Sequence, residues 1–128
     1  MTQDIILLDK KDIPDIEQNF FVIKKMGIKE RDTLLIEVTY YGGCKEHIFK
    51  LFGYFDDNTN IVFLLEHNAN GDQCKSILGK DLLFDLSPIK AKFEINNRKN
   101  LKKRSLTLNL KNMKTVYVLC IAYMYVWP

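Results

Sequence analysis

The chain has 128 residues, a length at which single domains cluster, with 47% hydrophobic and 12% aromatic content. That composition excludes a mainly disordered chain, which would lack the apolar surface to bury a core. A formal charge of +3 is too small to specify nucleic acid as a partner, and acids and bases alternate much as they do on a solvated surface.

The first thirteen residues, MTQDIILLDKKDI, have no basic start and an apolar run only from Ile5 to Leu8. A secretory signal has an apolar core of about 7–15 residues. The expected address is therefore periplasmic or cell-surface if a leader has been removed, and cytoplasmic otherwise. Residues 13–20, IPDIEQNF, show no clear period. Residues 33–40, TLLIEVTY, alternate strictly, with Leu34, Ile36, Val38 and Tyr40 on one face, the signature of a half-buried strand. Residues 47–55 and 61–67 read as two strands around DDNTN, a turn-rich cluster. A short helical turn fits GDQCKSILG (71–79), and another can start at Ser87, with Ser87 as cap and Pro88 at the first helical position. Leu82, Phe84 and Leu86 share one strand face, as do Leu106, Leu108 and Leu110. The C-terminal TVYVLCIAYMYVW falls short of the ~20 residues of a membrane helix, so no transmembrane segment is expected. There small residues (Val116, Val118, Cys120, Ala122) alternate with large ones, the pattern of a central strand covered on both sides; Cys120 is expected to be a buried, inert thiol. The expectation is one mainly β domain over 1–128, an antiparallel β-sandwich, Ig-like or similar, with one or two short helical turns.

Treating 47–55 and 61–67 as a hairpin centred on Asn58 makes paired residue numbers sum to about 116. Phe49 then faces His67, Leu51 faces Leu65, Gly53 faces Phe63 and Phe55 faces Ile61, and the odd-numbered face is the core face. Extended past the strands, this register brings Cys44 to within two residues of Cys74, with His47 and His67 turned inward at the same end. Three uses of this cluster compete. A Cys44–Cys74 disulfide leads; it would close a loop of roughly thirty residues, worth on the order of 3–4 kcal/mol. A zinc site of Cys44, His47, His67 and Cys74 is the alternative, though His-x6-Cys is not a familiar zinc spacing. Free thiols beside hydrogen-bonded core histidines are the third. Three cysteines fit one bridge plus one left over.

Gly42 and Gly43 end a strand where close backbone approach or positive φ suits glycine, and Asn70-Gly71 is a strong turn signal. The Asn/Asp-rich 68–72 fails as an EF-hand, since Gly79 stands where a bidentate Glu is required. Cys44 with His47 or His67 as base and Asp72 as orienter has the residue types of a nucleophilic site, but a neighbouring cysteine more naturally consumes the thiol. The basic NNRKNLKKR (96–104) has no interleaved aromatics for base stacking and is expected to be a solvated loop.

Taken in order, Tyr41-Gly42-Gly43-Cys44-Lys45-Glu46-His47-x-Phe49, then Glu66-His67-Asn68-Ala69-Asn70-Gly71-Asp72-x-Cys74, then Leu83-Phe84-Asp85-Leu86-Ser87-Pro88, resemble a poorly characterised family of small bacterial envelope and lipoprotein-like proteins with paired GGCxxH and ANGDxC motifs. The resemblance covers residues 33–90. It implies an envelope location, supports the disulfide and brings no activity with it. A lipid-anchored member is expected to show a leader and an acylated cysteine at its start. The expected function is a non-enzymatic binding or structural module with no cofactor. Its partner would be a protein or small molecule, with His47, His67 and Asp72 at the motif end as candidate ligand or metal residues. A small zinc protein is the alternative, and a thiol-dependent enzyme the third.

Overall fold

The computed structural model describes residues 2–96, 105–111 and 119–124. The strands are β1 (Ile6–Leu7), β2 (Val22–Lys29), β3 (Thr33–Gly42), β4 (Ile48–Asp57), β5 (Asn60–Asn68), β6 (Ser76–Asp85), β7 (Ser105–Lys111) and β8 (Leu119–Met124). A 3-10 turn occupies Lys10–Asp12, and α1 spans Ser87–Asn96. One sheet has the order β1-β4-β5-β7-β8, the other β2-β3-β6.

The inner faces of the two sheets share one core. Leu34, Ile36, Val38 and Tyr40 of β3 and Leu82 and Phe84 of β6 meet Phe49, Leu51, Ile61, Phe63 and Leu65 of the β4–β5 hairpin. Leu106, Leu108 and Leu110 of β7 extend that core, and α1 buries Ile89 and Phe93, one helical turn apart, into it. On the other face of the larger sheet, Phe52, Tyr54, Val62 and Leu64 are covered by Leu8, Ile13 and Ile16 of the N-terminal segment. The larger sheet is thus buried on both sides, which explains its near-continuous apolar runs.

The hairpin register agrees with the one the alternation predicts: Phe49↔His67, Leu51↔Leu65, Gly53↔Phe63 and Phe55↔Ile61. Gly53 faces the Phe63 ring so closely that a Cβ would stand 3.1 Å from Cδ1. Gly53→Ala is therefore expected to cost about 1–3 kcal/mol by overpacking, read as a lower chemical-denaturation midpoint.

The expected mainly β sandwich is observed, and several of its details differ. Its larger sheet is mixed: β1 pairs with β4, and β5 with β7, in parallel. The chain leaves β5 for the other sheet and α1 before returning as β7, and such a crossover permits parallel pairing. GDQCKSILG is not a helical turn; from Ser76 it is strand β6, antiparallel to β3 along its whole length. The turn at Ser87 is a full helix of 10 residues. β2 lacks an alternating pattern because its register slips between Ile23 and Lys25, so two adjacent lysines share one strand. β8 stands at the end of the sheet order, beside β7, and not at its centre. The expectation for the Cys120 side chain, and the basic run from Asn97 onward, lie outside the described residues. Among those residues no helix is long and apolar enough to cross a membrane.

Candidate functional site

The β3–β4 and β5–β6 connections meet at one end of the sandwich. The second is shaped by a turn in which the Asp72 N–H donates to the Ala69 carbonyl (3.0 Å), with Asn70 at φ 56° and Gly71 at φ 71°. Positive φ at both central residues is the primed turn that Asn-Gly favours. Asn70 also ties the two connections together, donating from Nδ2 to the Glu46 carbonyl at 2.9 Å. Cys44 and Cys74 are joined in a disulfide with Cα atoms 5.8 Å apart.

Asp72 organises this end. Its Oδ2 accepts the backbone N–H groups of Gly43 (3.1 Å), Cys44 (3.2 Å) and Lys45 (3.1 Å), while Oδ1 accepts that of Cys74 (3.0 Å). The carboxylate thus holds the backbone of both disulfide cysteines. Oδ2 also meets His47 Nε2 at 2.8 Å, with the Asp72 side chain 0% exposed. His47 Nδ1 lies 2.8 Å from His67 Nε2, and His67 Nδ1 lies 3.0 Å from the Asn19 carbonyl. Gly42 is required here for space: a Cβ would stand 2.6 Å from His47 Nε2 and 2.9 Å from Asp72 Oδ2. Gly43, at φ 119°, supplies the backbone bend that aims its neighbours' amides at the carboxylate.

Both ends of the chain of contacts, a carboxylate and a carbonyl, only accept, so the two imidazoles supply every proton in it. His67 is 1% exposed, its ring stacked on Phe49 with centroids 4.4 Å apart and edge-on to Phe21 and Tyr40. Burial in this aromatic enclosure pushes His67 below its ordinary value and so toward its neutral form. The His47 bond, joined by the Cys74, Lys45 and Cys44 amides, holds the Asp72 carboxyl far below the usual range. Burial, with a smaller push from the Asp72 charge, raises the Tyr40 hydroxyl.

These shifts give a pH dependence with a definite sign. Both groups bind protons less readily folded than unfolded, so each contributes stability that is present at higher pH and lost on acidification. The melting temperature is expected to be level above about pH 7 and to fall in two stages. The first begins near pH 6.5, as unfolded His67 starts to protonate, and the second near pH 4, as unfolded Asp72 does. His67→Phe should remove the first stage alone; calorimetry across pH 3–8 checks both.

Sequence reasoning places His47, His67 and Asp72 together, and the structure brings them into direct contact. It does not assemble them with the cysteines as a four-ligand set. Each histidine has both ring nitrogens engaged, while Cys44 Sγ, an Asp72 oxygen and Cys74 Sγ lie within 4.8 Å of one another. His47 turns to Asp72 and His67, and the Cys44 sulfur is in the disulfide, so no Cys–His nucleophile pair is formed. Sequence reasoning missed Asn19. Its segment pairs with β5 through Asn19 N–H to His67 O and His67 N–H to Glu17 O, both 3.1 Å, and its side-chain oxygen caps the Ala69 N–H at 2.8 Å. No periodic signal in residues 13–21 announces this.

Beside the disulfide opens a groove of about 670 Å³, whose lining includes Asn19, Phe20, Tyr41, His67, Gln73 and Lys75. Phe20 and Tyr41 stack at 5.7 Å yet remain 63% and 51% exposed. The aromatic wall is open to solvent, whereas the wall behind it, at His67 and Asp72, is fixed.

No protein-family model matches the sequence, and no curated protein matches it. Similarity appears among solved structures. A protein of unknown function (DUF1344) from Bacteroides vulgatus is 17% identical with a TM-score of 0.56, over 99% of this chain and 57% of its own. A NigD-like immunity protein from Bacteroides caccae is 14% identical with a TM-score of 0.61, over 97% of this chain and 65% of its own. A lipoprotein candidate from Bacteroides fragilis is 11% identical with a TM-score of 0.54, over 98% of this chain and 71% of its own. The chain spans less than two thirds of the first two. At these identities the likeness is one of fold: a small β-sandwich shared with poorly characterised Bacteroides proteins.

Proposed function

We propose that the protein is a non-enzymatic binding module of the bacterial envelope, facing the periplasm or the cell surface, and that the disulfide-stapled end is its binding end. The observation that carries this reading is the exposed Phe20–Tyr41 stack in a groove also lined by Asp72 and Cys74, where Asp72 holds the backbone of both disulfide cysteines. Exposed aromatics beside a few convergent polar groups are what ligand sites use, and a rigid wall lowers the entropy lost on binding. The disulfide supports an oxidising compartment. One structural neighbour, a lipoprotein candidate, agrees with that address.

The test is amide NMR with a panel of small aromatic carboxylates and short peptides. Binding is expected to shift Asn19, Tyr41, Gln73 and Lys75 together, and Tyr41→Ala to weaken it about tenfold. Shifts confined to another face, or insensitivity to Tyr41→Ala, would refute the reading. The proximity of Cys44, Asp72 and Cys74 favours a second reading, zinc capture by the reduced thiols, which needs the disulfide open.

A further inference from the structure

The groove lining ends at Lys75, one residue before strand β6 begins. In the β2-β3-β6 sheet, β6 has β3 on one side only. At its far end the opposite side is taken by Gln3, whose N–H donates to the Leu83 carbonyl (2.7 Å) and whose carbonyl accepts the Asp85 N–H (3.0 Å). Leu83 and Asp85 thus point their backbone groups away from β3. Because the two directions alternate along an antiparallel strand, Ile77, Gly79 and Asp81 do so as well. Among the described residues nothing pairs with those three. Among the described residues the edge is covered where Gln3 reaches it and open toward the groove.

The side chains beside the bare edge suit an extended occupant. Ile77, paired with Tyr41 across the sheet, is 71% exposed and continues the apolar strip of Tyr41 and Phe20. The groove end is basic, since Lys75 lines it and a Cβ on groove residue Gly71 would meet Lys45 Nζ at 3.7 Å; Lys80, exposed on β6, stands on the other strand face from Ile77 and opposite Val38. The acids Glu37 and Asp81 lie opposite each other at the far end of the open stretch, next to Lys80. Of the two-fold pairings with a second copy of this chain, one about Lys80 sets lysine against lysine, which is unfavourable for directly opposed residues, whereas one about Leu78 does not and is read out by the test below.

We infer that β6 accepts an extended, acidic segment of a partner protein as an added strand, bonded to the backbone of Ile77, Gly79 and Asp81. The segment's acidic residues would lie toward Lys45, Lys75 and Lys80, and an apolar side chain would rest on the Phe20–Tyr41–Ile77 strip. This rests on the proposed binding end and names its partner class. Strand addition draws affinity from main-chain bonds and specificity from alternate side chains.

The probe is a fluorescein-labelled eight-residue peptide alternating glutamate and valine with one central phenylalanine, with its lysine counterpart as control. The glutamate peptide is expected to bind, and the amides of Ile77, Gly79 and Asp81 to gain hydrogen-exchange protection. Gly79→Pro removes an N–H that points away from β3, a position where an edge strand tolerates proline, and should weaken binding at least tenfold. Should that variant fail to fold, N-methylation of the peptide's alternate amides removes the bonds from the other side and should abolish binding. The double variant Lys75→Glu, Lys80→Glu should reverse the preference to the lysine peptide. Equal affinity for both peptides, binding that survives both Gly79→Pro and N-methylation, or concentration-dependent pairing of the protein through β6 would overturn the inference. If the peptide fails while small aromatic carboxylates still shift Asn19, Tyr41 and Gln73, strand addition is wrong and the binding groove stands. If neither acts there, both readings fall.

Discussion

Replacing Cys44 and Cys74 together with serine is expected to lower stability by about 3–4 kcal/mol, because the bridge closes a sequence separation of 30 residues. For a chain of 128 residues that corresponds to a melting temperature lower by about 10–15 °C. The effect should be smaller than complete loss of folding, since the main core lies between the sheets and owes nothing to the bridge. The loss should also be localised. The amides of Gly43 to Lys45 should exchange faster, because the connection that carries them keeps only the Asp72 contacts and the Asn70 bond to Glu46. Thermal unfolding and hydrogen exchange of the double variant check both statements.

A smaller loss at the same end is expected from one methyl group. Gly42→Ala places a Cβ where His47 Nε2 and Asp72 Oδ2 already sit, so the variant must break the contact between them or shift β3. Asp72→Asn attacks the same contact differently. Four donors converge on Oδ2 and a fifth on Oδ1, and an amide offers one oxygen and one NH₂. Either orientation sets the amide nitrogen against at least one backbone N–H, and the charge opposite His47 is gone. Each variant is expected to melt roughly 5–10 °C below the parent with the disulfide still formed. Asp72→Asn should also lose the acid-side decline below about pH 4, which Gly42→Ala has no reason to remove while the carboxylate keeps its backbone donors. Equal acid profiles for Asp72→Asn and the parent would show that Asp72 is not what fails at low pH.

The β4–β5 hairpin and its inward histidines were legible because strict alternation over residues 47–55 and 61–67 leaves one register with an apolar inner face, and that register carries the cysteines together. The same logic could not find β6 near the groove. Ser76 to Asp81 bury no large side chain, and that stretch is a strand because β3 pairs with it. Nor could it find the exact use of Asp72. A carboxylate that collects amides from residues 43, 44, 45 and 74 depends on backbone direction, which residue types do not reveal. Parallel pairing of β5 with β7 depends on where the chain goes between them, and no periodicity encodes that path.

The claim that joins these parts is that a disulfide, held by Asp72, makes one end of the sandwich rigid enough to bind. Intact mass of the protein purified from its own cells, with and without reductant and alongside metal analysis, tests it most directly. The account predicts a mass that rises by about two units on reduction, with no stoichiometric metal. Two free thiols with one bound zinc per chain would contradict it.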